Sequence, residues 1–108
     1  MHTFTTLIAA AFFSLSAHAQ DRVIDIVIEK NTLNPAKVSV KAGEVFTFKV
    51  TNKDKTFEEF ESKSMVIEKF VKPGKTLLIK VGPLKPGEYD YFLEFHPDAP
   101  KGIVVVTP

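Results

Sequence analysis

The sequence predicts an all-β protein, an antiparallel Greek-key β-sandwich, on three observations. Short runs rich in Val, Ile, Phe and Tyr recur along the chain, and several of them alternate apolar and polar residues with a period of two. Turn residues divide these runs at Asn31, Asn34-Pro35, Gly43, Pro73-Gly74, Gly82-Pro83 and Pro86-Gly87. No stretch shows the apolar spacing of an amphipathic helix, and that combination is the pattern of a sandwich.

Taken in order, Val23-Ile24-Asp25-Ile26-Val27-Ile28 opens the domain as a strand, because β-branched side chains crowd a helix and suit a pleated surface. Val38 and Val40 alternate with Ser39 and Lys41 in a short second strand that Ala42-Gly43 ends. Phe46, Phe48 and Val50 continue the alternation as far as Asn52, where Asn52-Lys53-Asp54-Lys55 makes a polar bend. Thr56 to Glu61 resumes an extended run, and Val66 to Val71 reads as a further strand or an irregular crossover. Thr76 to Val81 alternates weakly. The last unit, PGEYDYFLEFHPDAPKGIVVV from Pro86 to Val106, is strand, rigid loop, strand: Pro97 and Pro100 withhold backbone donors before Gly102 releases the chain into Ile103 to Val106.

The ends and the composition bound the function. Leu7 to Ala17 is a nearly uninterrupted apolar and small-residue stretch followed by Ala17-His18-Ala19, so residues 1–19 read as a secretory signal peptide and residues 20–108 as one domain. The stretch falls short of the roughly 20 apolar residues of a membrane span. The expected location is periplasmic. With no cysteine the domain has no disulfide to stiffen it, and its core must come from Phe, Val, Ile and Leu. A formal charge of +1 with scattered lysines argues against nucleic acid as a partner. P-loop, Rossmann, C-x-x-C and H-E-x-x-H motifs are lacking, and no serine or cysteine nucleophile is paired with a base, which argues against a hydrolase.

The chemistry-bearing residues are few. His96 is the only histidine outside the predicted leader and stands in a loop between two strands, where neutral imidazole can hold a metal. Glu94, two positions earlier, is a candidate to share its face. Glu58, Glu59 and Glu61 form the acidic run EEFE, whose plain reading is a solvated strand face and whose functional reading is a set of oxygen donors. Met65 offers either a thioether for Cu(I) or ordinary core filling.

The closing hairpin resembles that of the cupredoxins, which commonly read Pro-Gly-x-Tyr-x-Phe-x-Cys-x-x-His-Pro before a Lys-Gly and a last apolar strand. Against that pattern His96 falls on a copper-binding histidine and Leu93 on the cysteine. Thr51 to Glu61, TNKDKTFEEFE, resembles the family's other copper-bearing strand, with Glu58 in the place of its histidine and Phe60 in that of the following aromatic. In the family register Glu58 shares the side of Phe60, whereas a one-residue slip selects Glu59 and Glu61. Blue-copper centres need a cysteine thiolate, so any copper site here is thiolate-free.

Over Val23 to Val106 the chain is similar to short EfeO-type cupredoxin-like proteins of bacterial iron-permease systems. The motifs that carry this are Glu58-Glu59-Phe60-Glu61-Ser62, Gly82-Pro83-Leu84-Lys85-Pro86-Gly87 and Glu94-Phe95-His96-Pro97-Asp98. The resemblance implies a copper centre at His96, iron as the transported ion held by neighbouring glutamates, and a ferroxidase role. It further implies an inner-membrane iron permease and a periplasmic iron-binding protein as partners. A copper carrier without an iron role and a metal-free interaction module are the alternatives.

Overall fold

A hairpin, a crossover and a pair of packed sheets bring the two ends of the candidate site together. The structure is a computed structural model that describes residues 2, 3, 6, 8–10 and 21–108. The Ala17-His18-Ala19 cleavage pattern and most of the predicted leader lie outside the described residues. Among the described residues no helix is long and apolar enough to cross a membrane.

Nine strands follow one another among the described residues. They are β1 (Arg22–Glu29), β2 (Thr32–Asn34), β3 (Lys37–Lys41), β4 (Phe46–Asn52), β5 (Glu58–Ser62), β6 (Ile67–Val71), β7 (Thr76–Val81), β8 (Gly87–Leu93) and β9 (Gly102–Thr107). One sheet has the order β2-β1-β4-β7 and the other β3-β9-β8-β5-β6. The expected all-β sandwich is what the chain forms, and the segment from Val66 is a strand, β6. The sheets are mixed, with most pairs antiparallel but β1 parallel to β4 and β3 parallel to β9. The cause is the crossover at Asn34-Pro35-Ala36. It carries the chain from one sheet to the other, so β1 and β3 each join a later strand that runs the same way.

Period-two alternation fills the space between the sheets. Ile24, Ile26 and Ile28 of β1, Phe46, Phe48 and Val50 of β4, Phe60 of β5, Tyr91 and Leu93 of β8 and Val104 and Val106 of β9 are buried and packed together. Phe48 is central: its ring lies 5.2 Å from that of Phe46, 5.6 Å from Phe60 and 5.7 Å from Tyr91, with the first two contacts edge-on. Tyr91 donates its hydroxyl to the Pro35 carbonyl at 2.6 Å, which ties β8 to the crossover. Burial pushes the Tyr91 phenol up to about 12.

The turns explain how the loops at one end are held. Lys30 and Asn31 both have positive φ, 52° and 59°, as a two-residue type I′ hairpin between β1 and β2 requires. Their two N–H groups donate to the Asp54 carboxylate at 2.7 and 3.0 Å, so this turn and the β4–β5 loop are fastened to each other. At the opposite end, the β5–β6 turn places Val66 at φ 56° with 92% of its surface exposed. A β-branched residue in that conformation is strained, and no burial offsets the cost there.

Candidate metal centre

The loop before β5 is built around Asn52, which is fully buried at the end of β4. Its Nδ2 donates to the carbonyls of Thr56 and Val71 at 2.8 and 2.9 Å, and its Oδ1 accepts from the Asp54 N–H at 2.9 Å. These bonds fold residues 53–57 into a fixed bend and deliver Glu58 as the first residue of β5. On the other side, His96 N–H donates to Leu93 O at 3.1 Å and Ala99 N–H to His96 O at 3.0 Å, which coils the β8–β9 loop into successive turns. Glu94 N–H donates to Glu59 O at 3.1 Å and secures the start of that loop against β5.

The result is a direct contact between Glu58 and His96. Oε1 of Glu58 lies 3.0 Å from Nε2 of His96. The Glu58 side chain has no exposed surface, although it lies under a shallow cover at the end of the sandwich, while 27% of the His96 side chain reaches solvent. Burial raises the Glu58 carboxyl above its ordinary range; the hydrogen bond and charge of His96 oppose this, and nearby Asp54 adds to it. Oε2 of Glu58 is buried with no hydrogen-bond partner, an unmet demand that a proton or a cation at that oxygen would satisfy.

The other predicted residues divide by strand geometry. Glu59 and Glu61 point to the face opposite Glu58 and Phe60, where Glu59 is buried and Glu61 half-buried. Register pairs Glu61 with Glu68 of β6. Glu68 lies close enough to Glu59, and Glu94 to Glu61, to raise the proton affinity of Glu59 and of Glu61. Glu94 thus joins the outer carboxylates and does not share the face of His96. Met65 is buried in the core beside the β5–β6 turn, at the far end of β5 from Glu58, and receives its place from a Met65 N–H to Ser62 Oγ bond of 3.1 Å. Leu93 is 1% exposed and packs in the core.

Among the described residues no three His, Cys, Asp or Glu side chains converge in a way that could hold an ion. The structure therefore brings together two of the predicted donors, Glu58 and His96, and gathers Glu59, Glu61 and Glu94 separately. Glu68 is absent from the sequence-based set. The Lys63-to-Val66 turn was the available signal, since a short hairpin there sets Glu68 opposite Glu61.

The outer carboxylates also set a pH dependence. For Glu61 the neighbouring Glu94 is the largest cause of the raised value, followed by burial; for Glu59 burial comes first, then Glu68. Above the ordinary value of 4.5 the folded chain therefore holds protons that the unfolded chain has released, and its stability falls as pH rises until these groups ionise in both states. Glu61→Gln is expected to leave the thermal midpoint of the metal-free protein unchanged near pH ~4 and to raise it near pH ~7. Midpoints measured across that range check this, and parallel curves for the two proteins would contradict it.

A family model described as a cupredoxin-like domain matches residues 3–106. The chain belongs to the cupredoxin-like domain family. An uncharacterised protein of Rickettsia prowazekii (strain Madrid E) is 36% identical over 84 residues, which span 78% of this chain and 67% of that protein. Among solved structures, auracyanin A, a blue copper protein of Chloroflexus aurantiacus, superposes with a TM-score of 0.69 at 13% identity, covering 82% of this chain and all of that one. The metal-binding domain of the Cu(I)-exporting P-type ATPase CopA of Streptococcus pneumoniae D39 gives 0.68 at 17% identity, covering 80% and 85%. A purple cupredoxin of Nitrosopumilus maritimus gives 0.57 at 19%, covering 77% and 98%. At these identities the likeness is one of fold. In this cupredoxin-like chain the Glu58–His96 contact joins the start of β5 to the β8–β9 loop.

Proposed function

We propose that this protein is a periplasmic, thiolate-free copper-binding component of iron uptake that assists the oxidation of Fe(II). The observation that carries the copper reading is the buried Glu58 carboxylate, paired with His96 through one oxygen and unpartnered at the other. Imidazole nitrogen and carboxylate oxygen are donors that suit Cu(II) in a tetragonal setting, so the residues present fit that ion with Glu58 and His96 as its holders. Copper there supplies a one-electron acceptor. The chain's own part is to fix the two donors through the Asn52 and Leu93 bonds and to keep water from the Glu58 side.

The iron reading rests on the outer carboxylates. Glu59, Glu61, Glu68 and Glu94 are hard oxygen donors, better matched to the product Fe(III) than to Fe(II), and β5 alone separates them from Glu58. An ion there requires the exposed Glu68 and Glu94 to swing toward Glu59. The predicted leader supports a periplasmic site of action, and the EfeO-type resemblance supports an inner-membrane iron permease and a periplasmic iron-binding protein as partners. A metal-free interaction module is the second reading, favoured by Leu93 in the thiolate's place.

The iron reading is tested by titrating the metal-free protein with Fe(III) supplied as its citrate complex, and separately with Cu(II), against a Glu61→Gln, Glu94→Gln double variant. Iron affinity is expected to fall by about tenfold or more while copper affinity is unchanged. Equal losses for both ions, or no iron binding by the unaltered protein, would reject the assignment of iron to the outer face.

A further inference from the structure

The outer face of β5, β6 and β8 carries aromatic rings as well as carboxylates. Phe70 of β6 and Phe95, which follows Glu94 in the β8–β9 loop, are 59% and 50% exposed, and their rings meet with centroids 6.2 Å apart. Neither belongs to the core, so the fold gains little from holding two large apolar side chains together in water. Glu59 lies directly opposite Phe70 in the β5–β6 pairing, and its carbonyl accepts the Glu94 N–H beside Phe95, so the two rings flank it. Glu59 is thereby left only 5% exposed and without a positive partner. The charged groups close to its carboxylate are Glu68 and Glu94, and among the described residues no lysine, arginine or histidine pairs with Glu59, Glu61, Glu68 or Glu94.

The same face shows what is missing. Phe92 of β8, the register partner of Glu61, has the Lys101 ammonium 5.0 Å from its ring centroid, and that ammonium also lies 3.6 Å from Asp90 Oδ2. Ring, carboxylate and cation make a complete set there. Phe70, Phe95 and Glu59 provide rings and a carboxylate with, among the described residues, no cation. We infer that this face docks an arginine-bearing segment of a partner protein, with a guanidinium seated against Phe70 and Phe95 and hydrogen-bonded to the carboxylates beside them. Guanidinium fits better than ammonium because it is planar and weakly hydrated, and it can stack on a ring while its N–H fork meets a carboxylate. Charge sets the size of the occupant. Four carboxylates call for more than one cation, so a polypeptide with several basic residues fits this face and a single small cation does not. The inference shares its carboxylates with the iron reading but uses no metal.

The test uses the metal-free protein in a chelating buffer of low ionic strength, with a fluorescein-labelled peptide that alternates arginine and glycine, followed by fluorescence anisotropy. Saturable binding is expected, about threefold or more tighter than that of the lysine–glycine counterpart. Phe70→Leu combined with Phe95→Leu keeps apolar side chains but removes the rings, and is expected to weaken the arginine peptide by about threefold or more and to erase most of its advantage over lysine. Both positions are half exposed, so the thermal midpoint of this double variant should stay close to that of the unaltered protein, which confirms that it folds. Equal binding of the two peptides, or no loss in the leucine variant, would mean attraction by charge alone and would overturn the inference, as would the absence of saturable binding. N-acetyl-arginine amide bound as tightly as the peptide would also overturn it, in favour of a small guanidinium ligand. Each of these outcomes leaves the iron reading intact, because neither phenylalanine is an iron donor.

Discussion

Gly102→Ala is expected to destabilise the protein by about 3 kcal/mol or more, a large share of the roughly 5–15 kcal/mol by which domains are stable. Gly102 stands directly opposite Tyr91 in the β8–β9 pairing, and the Tyr91 ring lies over its Cα. A Cβ at residue 102 would occupy the space of the ring atoms Cε2 and Cζ. The ring has no route of escape: Phe48 and Phe60 pack against it at 5.7 and 5.6 Å, and its hydroxyl is held by Pro35. In a domain of this size the loss corresponds to a fall in thermal midpoint of roughly 12–24 °C. Circular dichroism melting checks it, and adding Tyr91→Leu should recover part of the loss by vacating the space. A midpoint within about 4 °C of the unaltered protein would show that the sheet yields more easily than this packing allows.

Replacement of His96 by alanine is expected to weaken Cu(II) binding by about 100-fold or more, equivalent to roughly 2.7 kcal/mol. With the imidazole gone, the buried end of the site retains one carboxylate, and that carboxylate is already biased toward its protonated form by burial. The same substitution removes the hydrogen bond to Glu58 and should cost the metal-free protein about 1–2 kcal/mol. His96→Gln separates the two effects. Its amide can still donate to Glu58 and preserve stability, yet it lacks the imidazole nitrogen and should lose copper nearly as fully.

Much of this arrangement was legible in the chain because it follows from local rules. Period-two patterning over Val23–Ile28, Phe46–Val50 and Tyr89–Leu93 marks strands, and the same periodicity separates Glu58 from Glu59 and Glu61. Pro97, Pro100 and Gly102 mark the loop that carries His96. What local rules do not contain is which strands become neighbours. The parallel pairs β1–β4 and β3–β9 depend on the crossover at Pro35, and no pattern within either strand reveals them. The same limit applies at the site. Glu94 lies two residues from His96, but the chain leaves β8 at Leu93 and turns, so periodicity no longer governs His96 and Glu94 stays with the outer face. Met65 is near the acidic run in sequence and far from Glu58 in space because β5 separates them. Glu68 joined the outer carboxylates through register alone.

The central claim, a thiolate-free copper site made by Glu58 and His96, is tested most directly by calorimetric titration of the metal-free domain with Cu(II), with His96→Ala and His96→Gln alongside. The account predicts one equivalent bound by the unaltered protein, at least about 100-fold weaker binding in both variants, and no intense blue absorbance, since no thiolate is present. Binding of equal strength in all three proteins, or no binding in any, would contradict it.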